Sequence, residues 1–171
     1  LVIAGSGDAP AGLEAFLLRL TPAGTLDPAF ATAGVRRITN PDPNGLDFGL
    51  RALEVLPDDS ILAAGGGGDV LIARFAADGA PDPAFGTGGF TYLELGPVLG
   101  GEGVTLDDSF GFARQSSGRI VVAASRGSTS AGRSEGVLVG VTPAGALDTG
   151  FGTGGIVLVP TTRESSGLFD V

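Results

Sequence analysis

The segment from Asn40 to Asp47 carries residue types that could bind a metal ion. Asn40, Asp42 and Asn44 alternate along it and a glycine follows, which resembles the start of a calcium loop of the EF-hand type. The twelfth position of such a loop needs a bidentate glutamate, but here it is Arg51. The sequence therefore predicts no metal site and no cofactor, and Asn40, Asp42, Asn44 and Asp47 remain the candidates for calcium.

A second acidic group consists of Glu102, Asp107 and Asp108. Paired carboxylates can act as general acid and base in glycosidase-type chemistry. The chain has no Trp and one Tyr, so the aromatic platforms that usually hold a sugar are scarce. We interpret these carboxylates as part of a solvated loop, with carboxylate-dependent hydrolysis or elimination as the alternative.

The residue types that are missing exclude most other chemistry. The chain has no His, no Cys and no Met, and all ten of its basic residues are Arg. These absences exclude a Ser-His-Asp triad, the common zinc and haem sites, a Walker-A lysine and a Schiff base. Gly65–Gly68 could suggest a phosphate cradle, but a strand-like run follows where a helix would be needed. We predict a hairpin or bulge there, no catalytic residues, and a protein that is not an enzyme.

Charge and hydropathy narrow the classes of partner. The formal net charge is −9, which opposes binding to nucleic-acid phosphates and to anionic membranes. No apolar run approaches the roughly 20 residues of a membrane-spanning helix. These properties favour protein partners, with no nucleic acid and no membrane span.

A threefold internal repeat organises the chain. The repeated segments are LRLTPAGTLDPAFATAGV (18–35), ARFAADGAPDPAFGTGGF (73–90) and VGVTPAGALDTGFGTGGI (139–156). Each contains an Asp-x-x-Phe step between an apolar run and a glycine turn: Asp27 and Phe30, Asp82 and Phe85, Asp148 and Phe151. We expect the aspartates to form Asx-turns and the phenylalanines to fill the space between adjacent sheets. The glycines at 34, 88, 89, 154 and 155 are expected at positive φ or at close backbone approaches.

One repeat unit contains four strand-like runs. In the second unit these are 50–56, 60–64, 70–76 and 90–95, separated by Pro-Asp, Gly-rich and Asp-Gly turns. The stretch 12–20 could be drawn as a helix, but its counterparts carry β-branched runs, so we predict strands. Four strands at this period indicate propeller blades or a β-solenoid, and the period favours the propeller.

Together with the upstream element DDSILAAG (58–65), the repeated segments resemble the bacterial delta-60 repeat family. The first copy departs from the family pattern at Ala31 and Ala33, where glycines are expected, and the third copy at Thr149-Gly150. The resemblance implies a β-propeller in an exported, periplasmic or cell-surface protein.

The sequence thus predicts an all-β, propeller-like domain of four-stranded antiparallel blades, about three blade equivalents in an incomplete ring. It divides into a partial first blade (1–47), a second blade (48–107), a third blade (108–163) and the first strand of a further blade (164–171). We expect loops to have grown at 96–107 and 125–135, the second a flexible loop with a local positive charge.

The expected function is a non-enzymatic scaffold or protein-binding module, part of a larger chain or assembly that supplies protein partners or further blades at the open edges. An accessory chain that binds by strand addition is one form of it. The alternative is a carboxylate-dependent propeller hydrolase or lyase.

Overall fold

The computed structural model describes residues 1–9, 12–39, 49–66, 70–95, 108–128 and 133–159. Within these ranges the chain forms strands and turns and no helix. The strands are β1 (Val2–Ala9), β2 (Gly12–Arg19), β3 (Val35–Thr39), β4 (Gly49–Val55), β5 (Ile61–Gly66), β6 (Val70–Phe75), β7 (Phe90–Leu93), β8 (Asp108–Arg114), β9 (Ile120–Ser128), β10 (Arg133–Val141) and β11 (Ile156–Leu158).

The strands form three antiparallel meanders, which confirms the predicted fold class. The first sheet has the order β1-β2-β3, the second β4-β5-β6-β7 and the third β8-β9-β10-β11. The strand β1 corresponds to β5 and β9, the second strand of the repeat unit. The predicted blade boundaries stay predictions, because residues 47, 48, 107 and 160–171 lie outside the described residues.

The first strands of the second and third sheets, β4 and β8, lie where neighbouring sheets meet, since β4 contacts β1, β2 and β8. Each carries a bulge, between Leu50 and Ala52 in β4 and between Ser109 and Gly111 in β8. The hydroxyl of Ser109, which is buried, donates to the carbonyl of Gly65 in the neighbouring sheet at 2.5 Å. Bulges bend a strand locally, and the hydrogen bond from Ser109 joins the two sheets.

Two apolar layers hold the three sheets together. Because side chains alternate along a strand, neighbours on β6 point to opposite layers: Leu71 packs toward the first sheet and Ile72 toward the third. Both are at most 1% exposed. The second sheet is thus covered on both faces, which explains why β5 and β6 are apolar without alternation.

The structure corrects one local expectation and confirms another. The segment 125–135 is not simply a loop, because β9 continues to Ser128 and β10 begins at Arg133, with these two residues paired in register. The Ser and Gly content of this segment favoured a loop, but backbone pairing between β9 and β10 extends both strands into it. Gly65 and Gly66 end β5 and pair antiparallel with β6, which confirms the predicted hairpin, and the element that follows is a strand where a phosphate cradle would need a helix.

Candidate functional site: the joints between sheets and a cleft at the second joint

The repeated aspartates form the predicted Asx-turns. In each repeat an Oδ1 atom accepts a hydrogen bond from the backbone N–H two residues later. The three pairs are Asp27 with Ala29, Asp82 with Ala84 and Asp148 with Gly150, all at 3.0 Å. This bond fixes the corner before each phenylalanine, so the aspartates are turn residues.

The second carboxylate oxygen of each aspartate faces an arginine. The Nε–Oδ2 distances are 2.8 Å for Arg19 and Asp27, 3.3 Å for Arg74 and Asp82, and 2.7 Å for Arg119 and Asp148. Sequence reasoning missed these arginines, although an Arg eight residues before the Asp recurs in the first two repeats.

These contacts lower the pKa values of two of the aspartates. The backbone N–H of Ala29 is the largest cause of the lowered pKa of Asp27, and Arg19 adds to it. The hydrogen bond from Arg119 is the largest cause of the lowered pKa of Asp148. Both carboxylates are therefore held in their charged form.

The repeated phenylalanines join one sheet to the next. Phe30 is fully buried and its ring lies against the backbone of Gly79 in the second sheet, where a Cβ atom would be 2.7 Å away. Phe85 is 1% exposed and lies against Gly145 of the third sheet in the same way, at 3.0 Å. The predicted role of these residues between adjacent sheets is confirmed, and we call each such contact a joint.

A backbone hydrogen bond accompanies each joint. The N–H of Ala31 donates to the carbonyl of Asp78 at 2.7 Å, and the N–H of Gly86 donates to that of Ala144 at 2.8 Å. The residue after each phenylalanine thus bonds to the residue before each joint glycine. Each joint therefore combines a phenylalanine ring and a backbone N–H of one sheet with a glycine and a backbone carbonyl of the next sheet.

The third phenylalanine differs from the other two. Phe151 is only half-buried, and in the described part of the chain no later sheet covers it. That Phe151 fills a space between two sheets therefore stays a prediction, because residues 160–171 lie outside the described residues. Its ring is in contact with Arg119, whose Cζ lies 5.6 Å from the ring centroid, much as Arg19 lies 4.9 Å from the ring of Phe30.

The turn that follows each phenylalanine keeps its shape in the first repeat despite two alanines. The glycines predicted at positive φ all adopt it: 34, 88, 89, 154 and 155. Ala31 and Ala33 have φ of 46° and 51°, close to the 53° and 61° of Gly86 and Gly88. Alanine tolerates this region poorly, so the surrounding structure imposes the turn on the first repeat.

A cleft of about 370 Å³ opens at the second joint, between the second and third sheets. Apolar side chains form most of its wall, and Asp58, Arg74 and Arg114 supply charge. The lining residues are Leu56, Pro57, Asp58, Leu62, Arg74, Phe85, Arg114, Gly118, Ile120 and Pro143.

The arginine that lines the cleft makes different contacts from its counterpart at the first joint. At the first joint, Nη1 of Arg19 donates to the carbonyl of Ala77 across the joint at 2.5 Å. At the second joint, Arg74 pairs within its own sheet, with Asp82 and with Asp58 at 3.7 Å. Its Nε is buried and makes no hydrogen bond with the described residues. Arg74 and Pro143 both line the cleft.

The acidic residue of the cleft is held in place by its own turn. Oδ1 of Asp58 accepts hydrogen bonds from the hydroxyl of Ser60 at 2.6 Å and from its N–H at 3.1 Å. The hydroxyl is the largest cause of the lowered pKa of Asp58. The carboxylate thus stays charged and fixed beside the opening.

The residues that the sequence singled out for chemistry mostly cannot be placed. Asn40, Asp42, Asn44 and Asp47 lie outside the described residues, as do Glu102 and Asp107, and of Asp108 only the backbone, at the start of β8, is described. The described residues hold no group of three or more His, Cys, Asp or Glu side chains placed to bind a metal ion. None of them belongs to a helix that could cross a membrane.

Comparison with known proteins shows that the chain matches a family model described as a domain of unknown function (DUF5122), beta-propeller. The matched residues are 1–30, 56–85 and 115–151, more than half of the chain. No curated protein and no solved structure matches significantly. A propeller-type repeat is thereby confirmed, whereas the delta-60 name stays a prediction. Each matched segment includes one Asp-x-x-Phe step, and the chain belongs to the DUF5122 family of β-propeller domains.

Proposed function

We propose that this domain is a non-enzymatic scaffold or protein-binding module that receives an apolar side chain of a partner protein in the cleft between its second and third sheets. The observation that carries the proposal is the different orientation of Arg19 and Arg74. Where Arg19 bridges its joint, the corresponding joint of Arg74 is open.

The repeated residues support a scaffold role. The aspartates close turns, the phenylalanines join sheets and the glycines permit close approach of backbones. Residues that recur for structural reasons leave specificity to the places where the repeats differ. The cleft is such a place.

The chemistry of the cleft suits a partner side chain better than a reaction. Its walls include Leu62, Phe85 and Ile120, and its charged rim is already paired. Asp58 is bonded to Ser60 and faces Arg74, while Glu54 accepts from Arg114 at 3.2 Å. A carboxylate tied to an arginine is a poor general acid. An apolar pocket with a few fixed polar groups is instead a common form of binding site.

Export and membership of a larger chain or assembly belong to the same proposal. Their support is the resemblance to the delta-60 repeats. Fractionation of cells that express the full-length gene product tests export, and recovery of the product in the cytoplasm alone would contradict it.

Site-specific photocrosslinking tests the cleft. A photoreactive residue replaces Pro143, which lines the cleft, or Pro28, an exposed proline of another turn that serves as the control. The full-length protein in its native cells should form an adduct with a different protein from position 143 only. Equal adducts from both positions, or none from position 143, would reject the cleft as the binding site.

A further inference from the structure

We propose that Arg74 is the gate of the cleft at the second joint: its side chain has a second position, in which it donates to the carbonyl of Pro143 and closes the opening. The inference rests on the proposed binding function and names what regulates access to the same site. Both positions belong to the free chain, so they can be tested without a partner.

The first joint shows the geometry of the closed position. Arg19 and Arg74 occupy the same place in their repeats. The Nε of Arg19 donates to Asp27 of its own sheet at 2.8 Å, while its Nη1 donates to the carbonyl of Ala77 in the next sheet at 2.5 Å. The guanidinium also lies over the ring of Phe30. One arginine side chain thus spans a joint of this chain and keeps the ion pair with its turn aspartate.

The second joint offers the same acceptor at the corresponding place. Ala77 lies two residues before the joint glycine Gly79, and Pro143 lies two residues before Gly145. The neighbouring backbone hydrogen bond has nearly the same length at both joints, 2.7 and 2.8 Å. Proline lacks an N–H but keeps its carbonyl, and that of Pro143 accepts no hydrogen bond from the described residues. It is therefore free to accept one from Arg74.

The open position of Arg74 is weakly held. Its Nε lies 3.3 Å from Oδ2 of Asp82 and its Nη2 lies 3.7 Å from Oδ2 of Asp58. Neither contact is a hydrogen bond, and Nε is a buried donor with no acceptor among the described residues. A buried donor without an acceptor is unfavourable. Arg74 therefore gives up no side-chain hydrogen bond to a described residue when it leaves this position.

The carboxylate of Asp58 favours the open position. Its other oxygen is fixed by the N–H and hydroxyl of Ser60, so the charge stays on the side of the cleft that the second sheet forms. The side chain of Asp58 is 63% exposed, and an ion pair at that exposure contributes little because water screens it. A weak attraction that fixes one of two positions is what a gate requires.

Closing would link the two walls of the cleft. Arg74 belongs to the second sheet and Pro143 to the third, and both line the opening. A hydrogen bond between them would have to break before a partner side chain could enter. A partner would therefore bind the open position and shift the population toward it. The closing bond would form between described residues alone, because every connection at this end of the two sheets is described: 56–60, 76–89, 115–119 and 142–155.

NMR of the whole chain, labelled with ¹³C and ¹⁵N, distinguishes the two positions. The experiment measures nuclear Overhauser contacts from the side chain of Arg74 to Pro143 and to residue 58. The contacts from Arg19 to Ala77 are the reference for an arginine that spans a joint. The variant Asp58→Asn removes the charge that Arg74 faces and keeps an oxygen for the turn. We expect the ratio of closed to open positions to rise about two- to fivefold, as for the loss of one exposed ion pair.

The matched control is Asp59→Asn, which removes the same charge one residue away. Asp59 makes no ion pair with a described residue, and asparagine tolerates its φ of 61°. This variant should show the contacts of wild type.

Asp58→Ser repeats the test with a residue that this turn accepts. Ser117 holds the corresponding position before β9, where its hydroxyl accepts the N–H of Arg119 at 3.4 Å. Contacts between Arg74 and Pro143 that fail to strengthen in either variant of residue 58, or that strengthen equally in Asp59→Asn, would overturn the gate. The measurement needs no partner, so it can fail while position 143 still forms its adduct, and it can succeed where no adduct forms.

Discussion

Arg119 and Asp148 form an ion pair at 2.7 Å that replaces the one made from a different strand in the first two repeats. Arg19 and Arg74 lie on β2 and β6, whereas Arg119 directly precedes β9. The position on β10 that corresponds to Arg19 and Arg74 is Gly140. The turn aspartate therefore pairs with an arginine in all three repeats, but in the third repeat that arginine comes from a different position of the repeat unit.

The exchange leaves Gly140 with a steric role. A Cβ atom at Gly140 would lie 2.5 Å from the Cβ of Phe151, which cannot turn away because it is attached to the backbone. We expect Gly140→Ala to destabilise the fold by about 1–3 kcal/mol, the usual cost of overpacking. Chemical denaturation measures it. The control is Gly7→Ala on β1, where the nearest atom is 3.9 Å away. Equal stability of the two variants would contradict this account of Gly140.

Truncation of the joint phenylalanines should give unequal losses. Phe85 is 1% exposed, so Phe85→Ala should cost about 3–5 kcal/mol, the range for large buried aromatics. Phe151→Ala should cost less, since the ring is only partly buried among the described residues. Thermal unfolding compares the two variants. An unchanged melting temperature for Phe85→Ala would contradict the role of this residue in stabilising the joint.

The sequence was sufficient to predict the features that form within a single repeat, such as its turns. The Asx-turn of Asp82 and the positive φ of Gly88 depend on neighbours along the chain, so the pattern of residues was sufficient. The burial of Phe85 needed only one assumption, that a further sheet follows. The exposure of Phe151 could not be predicted, because it depends on what lies beyond the third sheet.

The cleft also could not be predicted from the sequence, because the contacts around it lie between residues that are distant along the chain. Arg19 and Arg74 occupy the same repeat position, yet only Arg19 bridges its joint. Arg74 instead lies 3.7 Å from Asp58, which is 16 residues earlier in the chain. A pattern read along the chain does not reveal such a contact. The missing calcium ligand at Arg51, by contrast, could be argued from spacing alone.

The first repeat should become more stable when its turn regains a glycine. Ala33 has a φ of 51° and is exposed, so its conformation is strained without a compensating contact. Ala33→Gly should raise the free energy of unfolding by about 1 kcal/mol, the cost of left-handed backbone at alanine less the added freedom of the unfolded glycine. Ala29→Gly, in the same turn but without positive φ, should not stabilise. A gain in the control equal to that of Ala33→Gly would refute the strain.

Stability should fall in acid because the turn aspartates are charged in the folded chain. The pKa values of Asp27, Asp58 and Asp148 all lie below the usual 3.8. Their contribution is therefore fully present above the unfolded value and is lost as the pH falls through the folded values. Asp148→Asn should keep the Asx-turn oxygen but lose the charge opposite Arg119. Its melting temperature should lie below that of wild type at pH 7, and the difference should shrink as the pH drops below about 3.8. The control, Asp8→Asn, changes an exposed carboxylate with no ion pair among the described residues. A difference for Asp148→Asn that stays constant with pH would show that its charge does not stabilise the fold.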